Sequence, residues 1–131
     1  MELINSYIDH TNLNNCATLK DIENLCNEAM KYHFASVCIY PYYVPLAASL
    51  LKDSTVEVCT VIGFPKGCNT KEVKVFEAIN AIENGAKEID MVINLSALKN
   101  KDYDYVKEEI EEVLNDFLDI AYEKCKNKWN T

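Results

Sequence analysis

The sequence predicts an α/β fold built on parallel strands. Stretches with the two-residue period of a strand alternate with stretches of helical period along the chain. The strand stretches are apolar on both faces, as strands covered by helices must be, and an open antiparallel sheet would not read that way. Four β/α units follow one another without linkers, low-complexity segments or domain boundaries. A chain of 131 residues is the size of one domain, so residues 1–131 are expected to form a single unit.

Taken in order, Ser6 to Thr11 ("SYIDHT") is a short strand candidate. Thr18 then caps a helix with Asp21 three residues on, and Ile22, Leu25, Cys26, Ala29 and Met30 recur at helical spacing. Phe34 to Tyr40 ("FASVCIY") is rich in strand formers and stops at Pro41. A short helix is expected over Val44 to Leu51. Thr55 to Phe64 ("TVEVCTVIGF") is a nearly continuous apolar strand closed by Pro65 and Gly67. Thr70 opens a third helix with Val73, Phe76, Ala78, Ile79 and Ile82 as its apolar positions, and Gly85 ends it. Glu88 to Leu95 ("EIDMVINL") is the fourth strand.

The last segment, 103–128, holds no glycine or proline. Val106, Ile110, Val113, Leu114, Phe117, Leu118, Ala121, Cys125 and Trp129 form a helical stripe. Acids crowd its first half (Glu108, Glu109, Glu111, Glu112) and lysines its end (Lys124, Lys126, Lys128), which suits one unbroken helix dipole. Such a helix spans roughly 39 Å at 1.5 Å per residue, and the alternative is two helices with an unmarked bend.

Composition narrows the function. The net charge is −8, and all 13 basic residues are lysines. Nucleic acid and anionic membrane call for clustered positive charge, so neither is an expected partner. The N-terminus lacks the basic region and apolar core of a signal peptide, and no apolar run approaches the ~20 residues of a membrane span. Six cysteines, none in a C-x-x-C pair, and two histidines away from zinc spacings imply reduced thiols in a cytoplasmic protein that binds no metal.

Four positions fall where α/β proteins place their sites. Asp9 lies in the first strand, Cys38 in the second and Asp90 in the fourth, while Lys66 sits at the tip of the "GFPKG" turn after the third. Asp9 also reads as a local cap, Cys38 as a small core residue and Lys66 as a solvated loop lysine. Asp90 is the hardest to explain away. It alternates with Ile89, Met91 and Ile93 and shares its face with Val92 and Asn94, and a carboxylate on an enclosed sheet face demands a partner.

Five motifs in order, "IDHT", "FASVCIYP", "VCTVIGFPKG", "EVKVFEA" and "GAKEIDMVINLSALK", together resemble the deoxyribose-phosphate aldolase family from about Leu3 to Val113. The resemblance implies half of a TIM-type barrel, (β/α)4. It implies the reversible aldol cleavage of 2-deoxy-D-ribose 5-phosphate to acetaldehyde and glyceraldehyde 3-phosphate through a lysine Schiff base, with no cofactor and no metal. By the same resemblance, Asp90 takes part in proton transfer, and Cys38, Asp9 and Thr11 line the pocket. The family turn carries an apolar residue where this chain has Lys66.

The family's Schiff-base lysine lies in a later Lys-Thr-Ser-type motif, and a second lysine and the phosphate loops follow it. None of these motifs occurs in the 131 residues. The chain is therefore expected to be a truncated aldolase, inactive alone. A split or homo-oligomeric enzyme completed by association and a non-catalytic binding half-barrel are the alternatives. Lys66 and Lys99 are weak substitutes, because an exposed lysine keeps a pKa near ~10.4. An open half-barrel is also expected to turn about six interior side chains to water, forfeiting on the order of 10–20 kcal/mol. Expected partners are thus a second copy or a complementary half-barrel, besides a small aldehyde or sugar-phosphate ligand.

Overall fold

The computed structural model describes residues 3–129. They form two compact units, one running through Val61 with Glu83–Asp90 added, the other made of Ile62–Ile82 and the chain from Met91 onward. A single sheet in the order β1-β2-β3-β4 supplies the strands. Among the described residues no helix is long and apolar enough to cross a membrane.

In the first unit a 3-10 turn at Ile4–Tyr7 precedes β1 (Asp9–Asn12). The strand expected from Ser6 thus starts three residues late, because the Ser6 hydroxyl donates to the Leu3 carbonyl at 2.8 Å and favours the turn. Helix α1 (Leu19–Tyr32) opens on a capping box. The Thr18 hydroxyl accepts from the Asp21 N–H at 3.2 Å, and the Asp21 carboxylate accepts from the Thr18 N–H at 2.8 Å. These bonds hold Asp21 below the usual carboxylate range. Ile22, Leu25, Cys26 and Ala29 are its buried stripe, and α1 packs on β1 and β2.

Strand β2 (Ser36–Ile39) is buried throughout and ends before a 3-10 turn at Pro41–Tyr43, which leads into α2 (Val44–Leu50). Strand β3 (Glu57–Ile62) begins two residues after Thr55, since the Ser54 hydroxyl takes the Val56 N–H into a local turn. β1, β2 and β3 are parallel, with Asp9, Ser36 and Glu57 level with one another and Thr11, Cys38 and Cys59 level above them. The start of β4 (Glu88–Met91) joins β3 through the Lys87 N–H and Val58 carbonyl at 2.8 Å. Gly85 is required where it stands: its φ is +116°, and a Cβ there would lie 2.6 Å from that of Ala48.

The second unit is held by charge as much as by apolar packing. Helix α3 (Lys71–Glu83) buries Lys74, Ala78, Ala81 and Ile82, while Val73 and Phe76, expected in the core, are exposed. The face is turned because the Lys74 ammonium, fully buried, meets the fully buried Glu109 at 2.8 Å. Lys71 adds ion pairs to Glu108 at 3.2 Å and Glu112 at 2.9 Å, which push its own pKa up. The fourth strand ends at Met91, short of the expected Leu95, because the Asn94 side chain caps α4 (Leu95–Lys99) by accepting from the Ala97 N–H at 2.9 Å.

Helix α5 (Tyr103–Trp129) is one continuous helix of 27 residues, as the dipole pattern suggested. Its apolar residues divide over two faces. Val113 is buried and Ile110, Leu114 and Leu118 are exposed, because successive residues turn by about 100° and one face cannot hold them all. The side chains of Cys125, Lys128 and Trp129, which the sequence places on or near this stripe, lie outside the described set.

Candidate active site

Asp9, Thr11, Cys38 and Asp90 all belong to the first unit. Strand alternation and register place Asp9 and Thr11 of β1, Ser36 and Cys38 of β2, and Glu57, Cys59 and Val61 of β3 on one face, and the charges of Glu88 and Asp90 of β4 reach Cys38 on it. The opposite face carries Val37, Ile39, Val58 and Thr60, all buried.

The centre of the candidate face is small and closed. Cys38, Cys59 and Val61 form a buried cluster against which Leu13 and Tyr40 pack. The Cys59 thiol hydrogen-bonds Cys38. This bond draws the Cys38 pKa below the usual thiol range, while burial and the negative charges of Asp90, Asp9 and Glu88 oppose the shift. The same bond and burial push Cys59 far above that range. Cys38 therefore feels both Asp9 and Asp90, so three of the four sequence candidates act on one spot.

Around this cluster the face is acidic and wet. Asp9, Thr11, Glu57, Glu88 and Asp90 are exposed. The Ser36 hydroxyl donates to Asp9 at 2.7 Å, and the Thr11 hydroxyl is spent on the Asp9 carbonyl at 3.0 Å. Burial, then Asp9, then Glu57 raise the pKa of Glu88. Among the described residues no cation pairs with Asp90. Its enclosure, expected from the apolar run, is corrected: the chain flanks Asp90 with apolar neighbours but leaves its carboxylate in water. So too is the expected apolar forfeit. The members of this face that meet solvent are carboxylates and a threonine, and the apolar ones are buried, so exposure here costs little hydrophobic free energy.

Lys66 and Lys99 lie in the second unit, both exposed, Lys66 between Gly63 and Gly67 in the turn after β3. A Cβ at Gly67, where φ is +66°, would strike the Ile93 carbonyl. Among the described residues no group of histidine, cysteine and carboxylate side chains is placed to hold a metal ion. Sequence reading missed Ser36, Glu57, Cys59 and Glu88. The signal for Glu88 was present, since period two puts it beside Asp90. The others needed the strand register.

The model of the DeoC/LacD family aldolase matches residues 3–116. The chain belongs to this family of aldolases. It is 64% identical to the deoxyribose-phosphate aldolase of Thermoanaerobacter sp. strain X514 over 107 residues, which cover 82% of this chain and 48% of that one. Against the Clostridium perfringens strain SM101 deoxyribose-phosphate aldolase the identity is 59% over 121 residues, 92% of this chain and 52% of the relative. The tetrameric deoxyribose phosphate aldolase of Aeropyrum pernix superposes with a TM-score of 0.81 at 34% identity, covering 88% of this chain and 48% of that one. The chain thus spans about half the length of the DeoC/LacD relatives it matches, and its four-stranded parallel sheet is the α/β arrangement of that half.

Proposed function

We propose that residues 1–131 supply the carboxylate side of a deoxyribose-phosphate aldolase site and support catalysis only together with the other half of the barrel, which carries the amine. The carrying observation is Asp90, exposed, with no cation partner among the described residues, whose charge acts with that of Asp9 on the Cys38 thiol. In this reading Asp90 relays a proton at the carbon beside the Schiff base. Cys38 and Thr11 line the acetaldehyde end, and Asp9, fixed by Ser36, sets the floor. Residues 1–131 act as one (β/α)4 domain.

The charge of the face favours one form of completion over another. A second copy laid face to face would bring Asp9, Glu57, Glu88 and Asp90 against their own kind, and like charges at close range cost several kcal/mol. A half-barrel that presents lysines meets those acids with opposite charge. We therefore place the complementary half, rather than a second copy, over this face.

Borohydride trapping with acetaldehyde tests the reading. The purified chain is expected to give no lysine adduct and no cleavage of deoxyribose 5-phosphate. Mixing it with the separately expressed C-terminal half of the Clostridium perfringens enzyme is expected to yield both, with the adduct on the added half. A trapped adduct on Lys66 or Lys99 of the chain alone refutes the proposal.

A further inference from the structure

We propose that Cys38 and Cys59 are a peroxide-responsive pair, which hydrogen peroxide closes into a reversible intramolecular disulfide. The pair lies wholly in the first unit and does not rest on the aldolase reading. Both thiols are free, and they stand level on adjacent parallel strands, Cys38 of β2 against Cys59 of β3. Level residues of paired strands point to the same side of a sheet. The two therefore enter one buried cluster with Val61, against which Leu13 and Tyr40 pack.

Strand spacing permits the bond. Neighbouring strands lie about 4.7–4.9 Å apart, and bridged cysteines place their Cα atoms about 4.4–6.8 Å apart. No strand has to slide and no segment has to unfold. Level side chains stand side by side at the strand spacing, whereas a disulfide wants its Cβ atoms about 3.5–4.5 Å apart. Closing that gap loads the bond and keeps it easy to reduce. The other described cysteines are placed differently. Cys16 and Cys68 are exposed outside the sheet, and Cys26 is on α1, where burial pushes its thiol up to about 11.

The surroundings select the oxidant. Asp90, Asp9 and Glu88 put negative charge around Cys38, which turns away anionic oxidants and spares a neutral one. Cys38 and Cys59 keep 4% and 5% of their surface open, an opening that suits a reagent little larger than water and excludes bulky disulfides.

The order of events follows from the bond between the thiols. The hydrogen bond from Cys59 draws the Cys38 pKa down, while the same bond and burial push Cys59 far up, so Cys38 ionises first. Its thiolate attacks one peroxide oxygen. The S–O bond forms, the O–O bond breaks, and the departing hydroxide takes up the proton that Cys38 released. The products are Cys38 sulfenic acid and water. The Cys59 sulfur then attacks the Cys38 sulfur. The S–S bond forms, the S–O bond breaks, and the oxygen leaves as a second water with the Cys59 proton. Two thiols are oxidised and one peroxide is reduced to two waters.

Thiol counting and peptide mapping on the full chain test the pair. One equivalent of hydrogen peroxide, added under native conditions, is expected to lower the thiols titrated in denaturant from six toward four, and dithiothreitol is expected to restore all six. Mass spectrometry of the unreduced digest is expected to find the Cys38 peptide joined to the Cys59 peptide. The double variant Cys16→Ser, Cys68→Ser is expected to keep that linkage. Cys59→Ala is expected to abolish it and to leave a Cys38 sulfenic acid that dimedone traps, with circular dichroism checking the fold. The parent-chain map needs no substitution, so it decides the matter even if Cys59→Ala does not fold. A parent chain in which peroxide leaves Cys38 and Cys59 reduced, joins either one to another cysteine, or takes Cys38 to a sulfinic acid that dithiothreitol does not reverse overturns the proposal.

Discussion

At the scale of single residues, the acidic face acts on Glu88: burial, then the charges of Asp9 and Glu57, shift its pKa upward. A carboxyl whose folded-state pKa exceeds its unfolded value destabilises the fold when ionised. The penalty is complete above the folded pKa and absent below the unfolded value near ~4.3. Glu88→Gln is therefore expected to raise the melting temperature at pH 7, with the gain disappearing at pH 3. Paired thermal melts across that range check it, and a gain that persists at pH 3 would assign the effect to packing instead. The sequence marked Asp90 but not this coupling. Asp90 stood out because it interrupts an apolar run, whereas Glu88, Glu57 and Ser36 sit at strand starts, where polar residues look ordinary until register sets them side by side.

At the scale of elements, the buried Lys74–Glu109 pair does what apolar residues do elsewhere. Glu109 accepts from Lys74 at 2.8 Å with one oxygen and from the Asn94 N–H at 2.6 Å with the other, so it ties α3, α5 and the turn after β4 together. Removing one partner of such a pair strands a charge in a water-free place. Lys74→Met is expected to cost about 3–5 kcal/mol in urea unfolding. Lys74→Met with Glu109→Leu is expected to recover part of that loss, though not all, since the Asn94 N–H then lacks its acceptor. Equal losses for the single and the double variant would deny the pair its special cost. Helix α3 also shows where periodicity misleads. Val73 and Phe76 fit an apolar stripe as well as Lys74 misfits one, yet the lysine is inside, because a carboxylate 35 residues away neutralises it. No local window contains that information. The Thr18 capping box, by contrast, lies within four residues and was legible.

At the scale of the whole molecule, the α/β class, the four parallel strands and the long final helix follow from alternation, two-sided apolar strands and an uninterrupted helical period. The character of the open sheet face did not follow. Counting barrel layers predicted bare hydrophobic side chains, and the chain instead buries its small apolar ones and exposes acids. On the proposed reading this difference changes what would complete the barrel. A face that lost water-exposed leucines would bind by area, with little dependence on salt. On the proposed reading, a face of four carboxylates on a chain of net charge −8 would draw a lysine-bearing half by attraction at a distance, which acts mainly on the association rate and is screened within ~10 Å at 0.1 M salt. Association with the complementary aldolase half is accordingly expected to slow roughly tenfold or more between 0.05 and 0.5 M sodium chloride, with little change in the dissociation rate. The double variant Glu88→Gln, Asp90→Asn is expected to flatten that salt dependence, even though it removes no apolar contact. Stopped-flow or biosensor kinetics at several ionic strengths measure both slopes. An association rate independent of salt in the parent chain would mean that apolar contact, and not the acid face, recruits the missing half.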